Sequence, residues 1–249
     1  CGKSIRSGNL DPRMKRLAVI CARGGSKEIK NKNVRVLGGK PLLAHTVEQA
    51  QQSAMFDWIA VSSDSAEILQ AGKDAGADYM IQRPAELAND VAPKIPAIRH
   101  CAASVEEATG VMIDTIVDLD ATAPLRSTAD IKGAIEKLES SDADNLVSGM
   151  TARRSPYFNL VEEQPDGRVR LAKIPETPIA RRQDAPRCFD LNASIFVWKR
   201  STLFSHNDYA LGTNTILFEM PEERSIDIDT ELDFAFVAFM MSRREGSPQ

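Results

Sequence analysis

The chain of 249 residues contains only three histidines, His45, His100 and His206, and none belongs to a cluster with metal-ligand spacing. We therefore expect neither a histidine-based metal site nor a Ser-His-Asp triad. The four cysteines are widely separated and form no CxxC pair, which argues against a zinc site and against a disulfide framework. This cysteine usage favours a reducing, cytoplasmic setting.

Long apolar runs are also absent. No stretch approaches the ~18 residues of a membrane span, and the polar N-terminus lacks the apolar centre of a signal peptide. Residues 1–14 are interpreted as a disordered leader or a tag. The formal net charge of −4 argues against a broad nucleic-acid surface. The sequence thus predicts neither a membrane nor a nucleic acid as partner.

Two common nucleotide-binding patterns are missing as well. The chain has no GxxxxGK[ST] P-loop and no GxGxxG dinucleotide fingerprint, so a dehydrogenase is not expected. What it does have is a basic segment from Arg23 to Lys40, with six Lys or Arg residues and one Glu. This segment directly follows an apolar run and begins with Gly24 and Gly25. Such a loop after a buried strand is where α/β proteins bind phosphates. A solvated turn that needs glycine only for positive φ is the alternative that composition leaves open.

Strand and helix patterns alternate through the first 150 residues. Strands are expected at 16–21, 58–62, 79–82, 115–119 and 146–150, and helices at 42–53, 65–75, 93–108 and 128–139. This alternation predicts an α/β fold with a doubly wound, mainly parallel sheet. Binding residues should then gather at the carboxyl ends of the strands.

Residues 151–190 interrupt this rhythm. They are rich in Arg, Pro and Gln and include a hairpin-like turn over 164–167. A weakly cored excursion of this length usually packs against something else, and a partner subunit is the natural candidate. Regular structure resumes with a strand at 192–199 and a helix after Thr230. We therefore divide the chain into a core at 15–150, an extension at 151–190 and a return to the core at 191–245.

Asp227 and Asp229 form the second candidate constellation. On an extended strand, residues i and i+2 point to the same face, so the two carboxylates could ligate one divalent cation. Mg²⁺ is normally held by one or two carboxylates together with substrate phosphates, and Mn²⁺ is the other candidate. The alternative is that Asp229 only caps the last helix and that Asp227 is solvated.

Four strings occur in order along the chain: ICARGGSK followed by KNKN, QRPAELAND, LDATAPLR and SIDIDTELD. On these strings the chain resembles the acylneuraminate cytidylyltransferases over residues 16–243. The resemblance implies a Rossmann-like sheet of the nucleotide-diphospho-sugar transferase type, with a small dimerisation extension that makes a homodimer. It also implies a reaction between CTP and a nine-carbon keto-acid sugar that yields a CMP-sugar and pyrophosphate. The strings ICARGGSK, LDATAPLR, SPYFNLV and DLNASIF favour the branch that acts on legionaminic acid over the sialic acid branch.

The resemblance also assigns individual residues. It implies nucleotide binding by Arg23, Ser26, Lys27, Lys32, Asn33 and Arg83, with Arg23, Lys27 and Asp229 in catalysis. It implies sugar contacts from Asp120, Arg182 and Asn192, and metal binding by Asp227 and Asp229. No histidine is placed to act as a general base, so a metal or an aspartate must fill that role.

Two positions depart from the family pattern. Glu28 replaces a glycine of the basic loop, so it must point away from the phosphates unless the loop is reshaped. Asp120 replaces a glutamine, which suggests a different sugar or, together with Asp118, an extended metal site. A cytidylyltransferase for pseudaminic acid or for the eight-carbon acid Kdo stays open as an alternative. A non-catalytic nucleotide-binding module is the alternative from another class.

Overall fold

The computed structural model describes residues 14–25, 28–89, 92–175, 177, 181–205 and 208–245. The predicted leader at 1–14 lies outside these ranges except for its last residue. Within them, no helix combines the length and the apolar character that a bilayer-spanning segment needs.

The described residues form eleven strands and six α-helices. The strands are β1 (Arg16–Cys21), β2 (Val36–Leu37), β3 (Lys40–Pro41), β4 (Trp58–Ser63), β5 (Tyr79–Gln82), β6 (Thr115–Leu119), β7 (Asn145–Thr151), β8 (Val161–Glu163), β9 (Val169–Leu171), β10 (Phe189–Lys199) and β11 (Thr215–Glu219). The helices are α1 (Leu42–Ser53), α2 (Ala66–Asp74), α3 (Lys94–Thr109), α4 (Thr128–Glu139), α5 (Arg200–Leu203) and α6 (Glu231–Glu245). Every strand and helix expected in the first 150 residues is present within a residue or two of its predicted bounds.

Seven strands form the central sheet in the order β11-β7-β10-β6-β1-β4-β5. The neighbours β6, β1, β4 and β5 are parallel, as are β7 and β11, whereas β10 runs antiparallel between β6 and β7. The predicted doubly wound, mainly parallel sheet is therefore confirmed. The chain leaves β1 towards β4 and returns to β6 on the other side of β1. This reversal opens a crevice at the carboxyl ends of β1 and β6, where sheets of this type bind ligands.

Alternate residues of β1 pack into two different core layers, as the period of two along a strand requires. Ala18 and Ile20 join the layer formed with α1, α2 and α4. Leu17 and Val19 join the layer formed with α3 and α5. All four side chains are fully buried, which fits a central strand covered by helices on both faces.

The strand β10 carries an irregularity next to the crevice. Its pairing register with β7 shifts between Leu191 and Phe196, and Ala193 in this bulge has a φ of 50°. A residue with a Cβ is strained in this left-handed region, so the surrounding structure must hold the bulge in place. Buried Arg126 does part of this, because it donates hydrogen bonds to the Ser194 carbonyl and the Asp120 carbonyl, both at 2.6 Å.

The excursion between β7 and β10 contains a hairpin of its own, formed by β8 and β9 apart from the central sheet. The predicted turn at 164–167 is confirmed. Gly167 has a φ of 77°, and its amide donates to the Gln164 carbonyl at 2.9 Å. The edge strand β11 has no counterpart in the sequence prediction. Whether the excursion faces a partner subunit stays a prediction.

Candidate active site

A cleft of about 710 Å³ lies at the carboxyl ends of β1 and β6. Its walls come from the loop after β1, the start of α3, the end of β6 and the segment before α6. Seven of the predicted binding and catalytic residues line it: Arg23, Lys32, Asn33, Arg83, Asp120, Asp227 and Asp229. Residues up to about 200 positions apart in the chain thus meet at one place, the predicted edge of the sheet. Ser26 and Lys27 lie outside the described residues.

The basic wall of the cleft is the loop that follows β1. Its backbone is fixed at three points: the Ala22 amide donates to the Ser62 carbonyl at 3.0 Å, and the Gly24 amide donates to Asp64 Oδ1 at 2.9 Å. The third is the buried Asn33, whose Nδ2 donates to the Arg23 carbonyl at 3.1 Å. Asn33 therefore braces the loop in addition to lining the cleft.

Arg83 brings a further positive charge to this end of the cleft. It follows β5, and its guanidinium is buried against β4. Nη2 donates to the Ser62 carbonyl at 2.8 Å, and Nε donates to Ser62 Oγ at 3.2 Å. Both partners are neutral, so the hydrogen bonds orient the guanidinium without cancelling its charge.

The acidic wall is the segment from Ser225 to Asp229, which returns from β11 to the start of α6. Asp229 does not cap α6; Thr230 is the capping residue. Thr230 Oγ1 accepts from the Asp233 amide at 3.3 Å, while the Asp233 carboxylate accepts from the Thr230 amide at 2.7 Å. This reciprocal pair caps α6. The Asp229 side chain is left 69% exposed in the cleft.

Asp227 is half-buried beside Asp229. Burial raises the pKa of the Asp227 carboxyl, and the like charges of Asp229, Asp120 and Asp233 raise it further, against a lowering hydrogen bond from its own amide. A cation at this point would relieve the repulsion between the carboxylates. The acidic wall therefore has the electrostatics of a cation site.

The donor set also fits Mg²⁺ or Mn²⁺, provided that the substrate takes part. Among the described residues, no group of three or more His, Cys, Asp or Glu side chains is arranged to hold a metal ion alone. Mg²⁺ commonly takes just one or two carboxylates and completes its shell with phosphate oxygens and water. Asp227 and Asp229 could supply that protein share.

Lys32 joins the two walls. Its side chain is only 13% exposed, and Nζ donates to the Ile228 carbonyl at 2.6 Å and to Asp229 Oδ1 at 3.0 Å. Below it, Ile29 of the basic wall packs in one apolar cluster with Ile228 and with Phe234 of α6. The predicted nucleotide-binding lysine thus also holds the acidic wall against the loop.

The floor of the cleft contains a lysine that the sequence prediction missed. Lys94 Nζ lies 2.7 Å from Asp118 Oδ2 and 2.8 Å from Asp120 Oδ2. Burial raises the pKa of Asp118. Burial also acts to raise the pKa of Asp120, but Lys94 and hydrogen bonds from Thr122 outweigh it and hold that pKa below its usual range. Burial would lower the pKa of Lys94, whereas the two carboxylates raise it. The ammonium and Asp120 are therefore both charged at neutral pH.

This pairing changes the interpretation of Asp118 and Asp120. Their carboxylates are held by an ammonium, and among the described residues they form no metal cluster with Asp227. The structure therefore gives no support to an extended metal site. The one signal for Lys94 in the sequence was its place at the start of the helix expected at 93–108, after the RPAELAND string.

Cys21 also lies at the floor of the cleft. Burial raises the pKa of its thiol to about 11, against lowering by the positive charge of Arg83. The thiol therefore stays protonated at neutral pH, and only a thiolate is a strong nucleophile. Covalent catalysis by Cys21 is not supported.

Two other predicted positions, Glu28 and Asn192, lie differently from expectation, and a third, Arg182, is not tested. Glu28 is exposed and lines the cleft, so it is not turned away from the substrate space. Arg182 belongs to a short 3₁₀ turn, Arg182–Asp184, in the excursion, and its side chain is outside the described part of the chain. Asn192 is 5% exposed and does not line the cleft. Its amide is bound by protein groups beneath the acidic wall, which does not support a sugar contact.

Comparison with known proteins agrees with this geometry. A sequence model of the cytidylyltransferase family matches residues 17–211. The chain belongs to the cytidylyltransferases. CMP-N,N'-diacetyllegionaminic acid synthase of Campylobacter jejuni is 45% identical over 233 residues, which cover 94% of this chain and 97% of the relative. Post-translational flagellin modification protein B of Campylobacter coli is 44% identical over 228 residues, 92% of this chain and 95% of the relative.

Solved structures agree on the fold. A CMP:2-keto-3-deoxy-manno-octonic acid synthetase in complex with CTP superposes with a TM-score of 0.69 at 18% identity, covering 92% of this chain and 99% of that one. At that identity the likeness shows a shared Rossmann-like fold and nothing finer. The family match makes this chain a nucleotidyltransferase enzyme. The structural likeness supports the expected α/β sheet.

Proposed function

We propose that this cytidylyltransferase couples CTP to a nonulosonic acid of the legionaminic type, releasing pyrophosphate and forming a CMP-sugar. The observation that carries the proposal is the meeting of the basic wall, with Arg23, and the carboxylates Asp227 and Asp229 across one cleft at the switch point of the sheet. The sugar class is supported by the name of the 45% identical relative from Campylobacter jejuni, which spans nearly the whole of both chains.

The chemistry is a direct displacement. The anomeric C2 hydroxyl of the sugar acid attacks the α-phosphorus of CTP, the bond to the bridging oxygen breaks, and pyrophosphate leaves. Such a step needs alignment and charge neutralisation more than a strong nucleophile. Arg23 and Lys27 are assigned to the triphosphate, where they stabilise the charge that grows on pyrophosphate.

The acidic wall complements this role. Asp227 and Asp229 would hold Mg²⁺ or Mn²⁺, which supplies Lewis-acid polarisation of phosphate oxygens and lowers the pKa of a bound hydroxyl. Lys32 holds Asp229 in place and presents its ammonium between the two walls. We assign Arg83 to the nucleoside end of the cleft. Asp120, oriented by Lys94 and Thr122 at the floor of the cleft, is assigned to a sugar hydroxyl.

The test is pyrophosphate release from CTP with a panel of legionaminic, sialic, pseudaminic and Kdo acids, with UTP as the nucleotide control. We expect the highest kcat/KM with CTP and a legionaminic acid, and no release without a divalent cation. Preference for another acid of the panel would reassign the sugar. Tight CTP binding without pyrophosphate release from any acid would instead favour a non-catalytic nucleotide-binding module.

We also propose that the excursion at 151–190 makes a homodimer. Its exposed apolar side chains have exposed fractions between 41% and 75%: Phe158, Leu160, Val161, Val169 and Ile174. Apolar groups concentrated in one surface segment are typical of an interface. Sedimentation of the wild type should give a dimer, and a V161D/V169D variant should sediment as a monomer. A monomeric wild type at micromolar concentration would refute the assignment.

The free thiols of Cys21 and Cys101 support a reducing, cytoplasmic location.

A further inference from the structure

A chain of buried hydrogen bonds runs from the central sheet to the acidic wall. Ser148 Oγ on β7 donates to Asn192 Oδ1 on β10 at 2.6 Å, and the Ser194 amide donates to the same oxygen at 3.2 Å. Asn192 Nδ2 donates to Ser225 Oγ at 3.0 Å. Ser225 Oγ passes its own proton to the Pro221 carbonyl at 2.8 Å. Ser148, Asn192 and Ser225 are all buried.

This chain meets the acidic wall two residues before Asp227. The wall is fixed at other points too. Arg224 makes a bidentate ion pair with Asp130 at the start of α4, at 2.8 and 3.0 Å. The Ile228 amide donates to the Thr122 carbonyl at 2.9 Å. Asn192 is the part of this scaffold that ties the wall to the middle of the sheet, through the irregular stretch of β10.

The amide of Asn192 has little left to offer a substrate. Its oxygen accepts two hydrogen bonds, and its nitrogen donates to Ser225 and faces Met220 Sδ at 3.4 Å. Turning it towards a sugar would leave Ser148, Ser194 and Ser225 with unsatisfied buried groups, each at a substantial cost. The geometry therefore opposes a direct contact with the sugar.

We infer that Asn192 is a positioning residue that holds Asp227 and Asp229 in cation-binding geometry through Ser225. The inference rests on the proposed role of these two aspartates. Hydrogen-bond partners behind metal-binding residues typically contribute about 10–100-fold in metal affinity or activity. The effect of Asn192 should therefore appear in the affinity for the cation, not in the affinity for the sugar acid.

The experiment measures Mn²⁺ binding to the enzyme in the presence of CTP and without any sugar acid, by the electron paramagnetic resonance of free Mn²⁺. Asn192→Ala should weaken Mn²⁺ binding by at least about tenfold and leave the KM for the sugar acid within about threefold. Ser225→Ala removes only a hydroxyl and should lower Mn²⁺ affinity in the same direction. The double variant should lose clearly less Mn²⁺ affinity than the two single losses combined, because both substitutions remove the Asn192–Ser225 hydrogen bond.

Asn145→Ala is the matched control. Asn145 is 2% exposed and lies on β7, at the end of that strand away from the cleft. Its Nδ2 donates to the Ala210 carbonyl and its Oδ1 accepts from Thr215 Oγ1, both at 2.7 Å. Its removal should lower the melting temperature as Asn192→Ala does, while Mn²⁺ affinity stays within about twofold of the wild type. If Asn192→Ala does not fold, Ser225→Ala alone tests the inference.

Two outcomes separate the inference from the function on which it rests. If Asp229→Asn leaves Mn²⁺ affinity unchanged, the proposed metal role of the acidic wall is wrong. If Asp229→Asn weakens Mn²⁺ binding but Asn192→Ala and Ser225→Ala do not, only the positioning role is wrong. A raised sugar KM in Asn192→Ala with unchanged Mn²⁺ affinity would show a direct sugar contact instead.

Discussion

The two walls of the cleft carry opposite charge and are built by different means. The acidic wall is short and is tied to the sheet, to α4 and to the end of β6 by hydrogen bonds of Ser225, Arg224 and Ile228. The basic wall is a loop whose backbone is anchored mainly near its two ends, by Gly24 and Asn33. A fixed pair of carboxylates thus faces a loop of which only some of the cations line the cleft.

The sequence predicts that the cations of the basic segment bind phosphates, but several of them bind carboxylates of the protein itself. Among the described Lys and Arg residues between 23 and 40, ion pairs with carboxylates join Lys32 to Asp229, Arg35 to Glu231 and Lys40 to Glu48. Arg35 also stacks on the Phe234 ring, 4.0 Å from its centroid. The basic segment therefore holds the acidic wall in place through Lys32 as well as lining the cleft.

Asp229→Asn should produce the largest change, because it removes a charge of the acidic wall that is exposed in the cleft and is proposed to bind the metal ion. We expect kcat for pyrophosphate release to fall by about 10²–10³-fold, the loss typical of a removed transition-state stabiliser. The side chain is largely exposed, so the melting temperature should change by only a few degrees. Calorimetry of the same preparation is the control. A variant that turns over normally with CTP and Mg²⁺ would remove Asp229 from the mechanism.

The alternation of strand and helix patterns was enough to predict the core sheet, because short buried strands and amphipathic helices have distinct periods. It could not predict β11, whose side chains are mostly half-buried at the edge of the sheet. Cleft residues that follow predicted strands, such as Arg23, Arg83 and Asp120, could be predicted because the carboxyl ends of parallel strands meet at one edge of the sheet. Lys94 and the buried role of Asn192 depend on contacts with residues 24 to 44 positions away, and neither shows a local pattern.

Lys94→Met tests the floor between the walls. It leaves Asp118 fully buried without its cation, and breaking such a pair from one side is strongly destabilising. We expect a loss of about 3 kcal/mol in the free energy of unfolding, near the lower end of the usual range because the Lys94 side chain is 36% exposed. Urea denaturation measures it.

A second substitution makes that result specific. In Lys94→Met/Asp118→Asn the buried negative charge is gone, so more than half of the lost stability should return. If the double variant is as unstable as Lys94→Met, the loss comes from side-chain packing or from Asp120, which both variants leave without Lys94, and not from the Asp118 carboxylate.

Arg23→Ala and Arg35→Ala compare two members of the basic wall. Arg23 lines the cleft, whereas Arg35 pairs with Glu231 on the outside. Arg23→Ala should raise the KM for CTP by roughly 100-fold with a much smaller change in the KM for the sugar acid, because it removes a charge-assisted contact to phosphate. Arg35→Ala should change either KM by less than about threefold, as expected for an exposed ion pair. Equal losses for both substrates in Arg23→Ala would contradict the triphosphate role.

Glu106→Gln should have the smallest effect, a change in stability. It removes the ion pair between Glu106 and Arg200, which lies away from the cleft and serves as a reference. The Arg200 guanidinium, at 2.6 and 2.8 Å, holds the pKa of Glu106 below its ordinary value of 4.5, aided by the Ile113 amide and opposed by burial. Because the folded-state pKa is lowered, the pair stabilises the protein above pH 4.5 and loses this contribution as the pH falls through the folded-state value. The free energy of unfolding of the wild type should exceed that of the variant by about 1 kcal/mol at pH 7, and this difference should vanish towards pH 3. Urea denaturation at both pH values measures it. A constant gap across this range would mean that neutral hydrogen bonding, and not charge, stabilises the pair, and it would weaken the electrostatic account of the two walls as well.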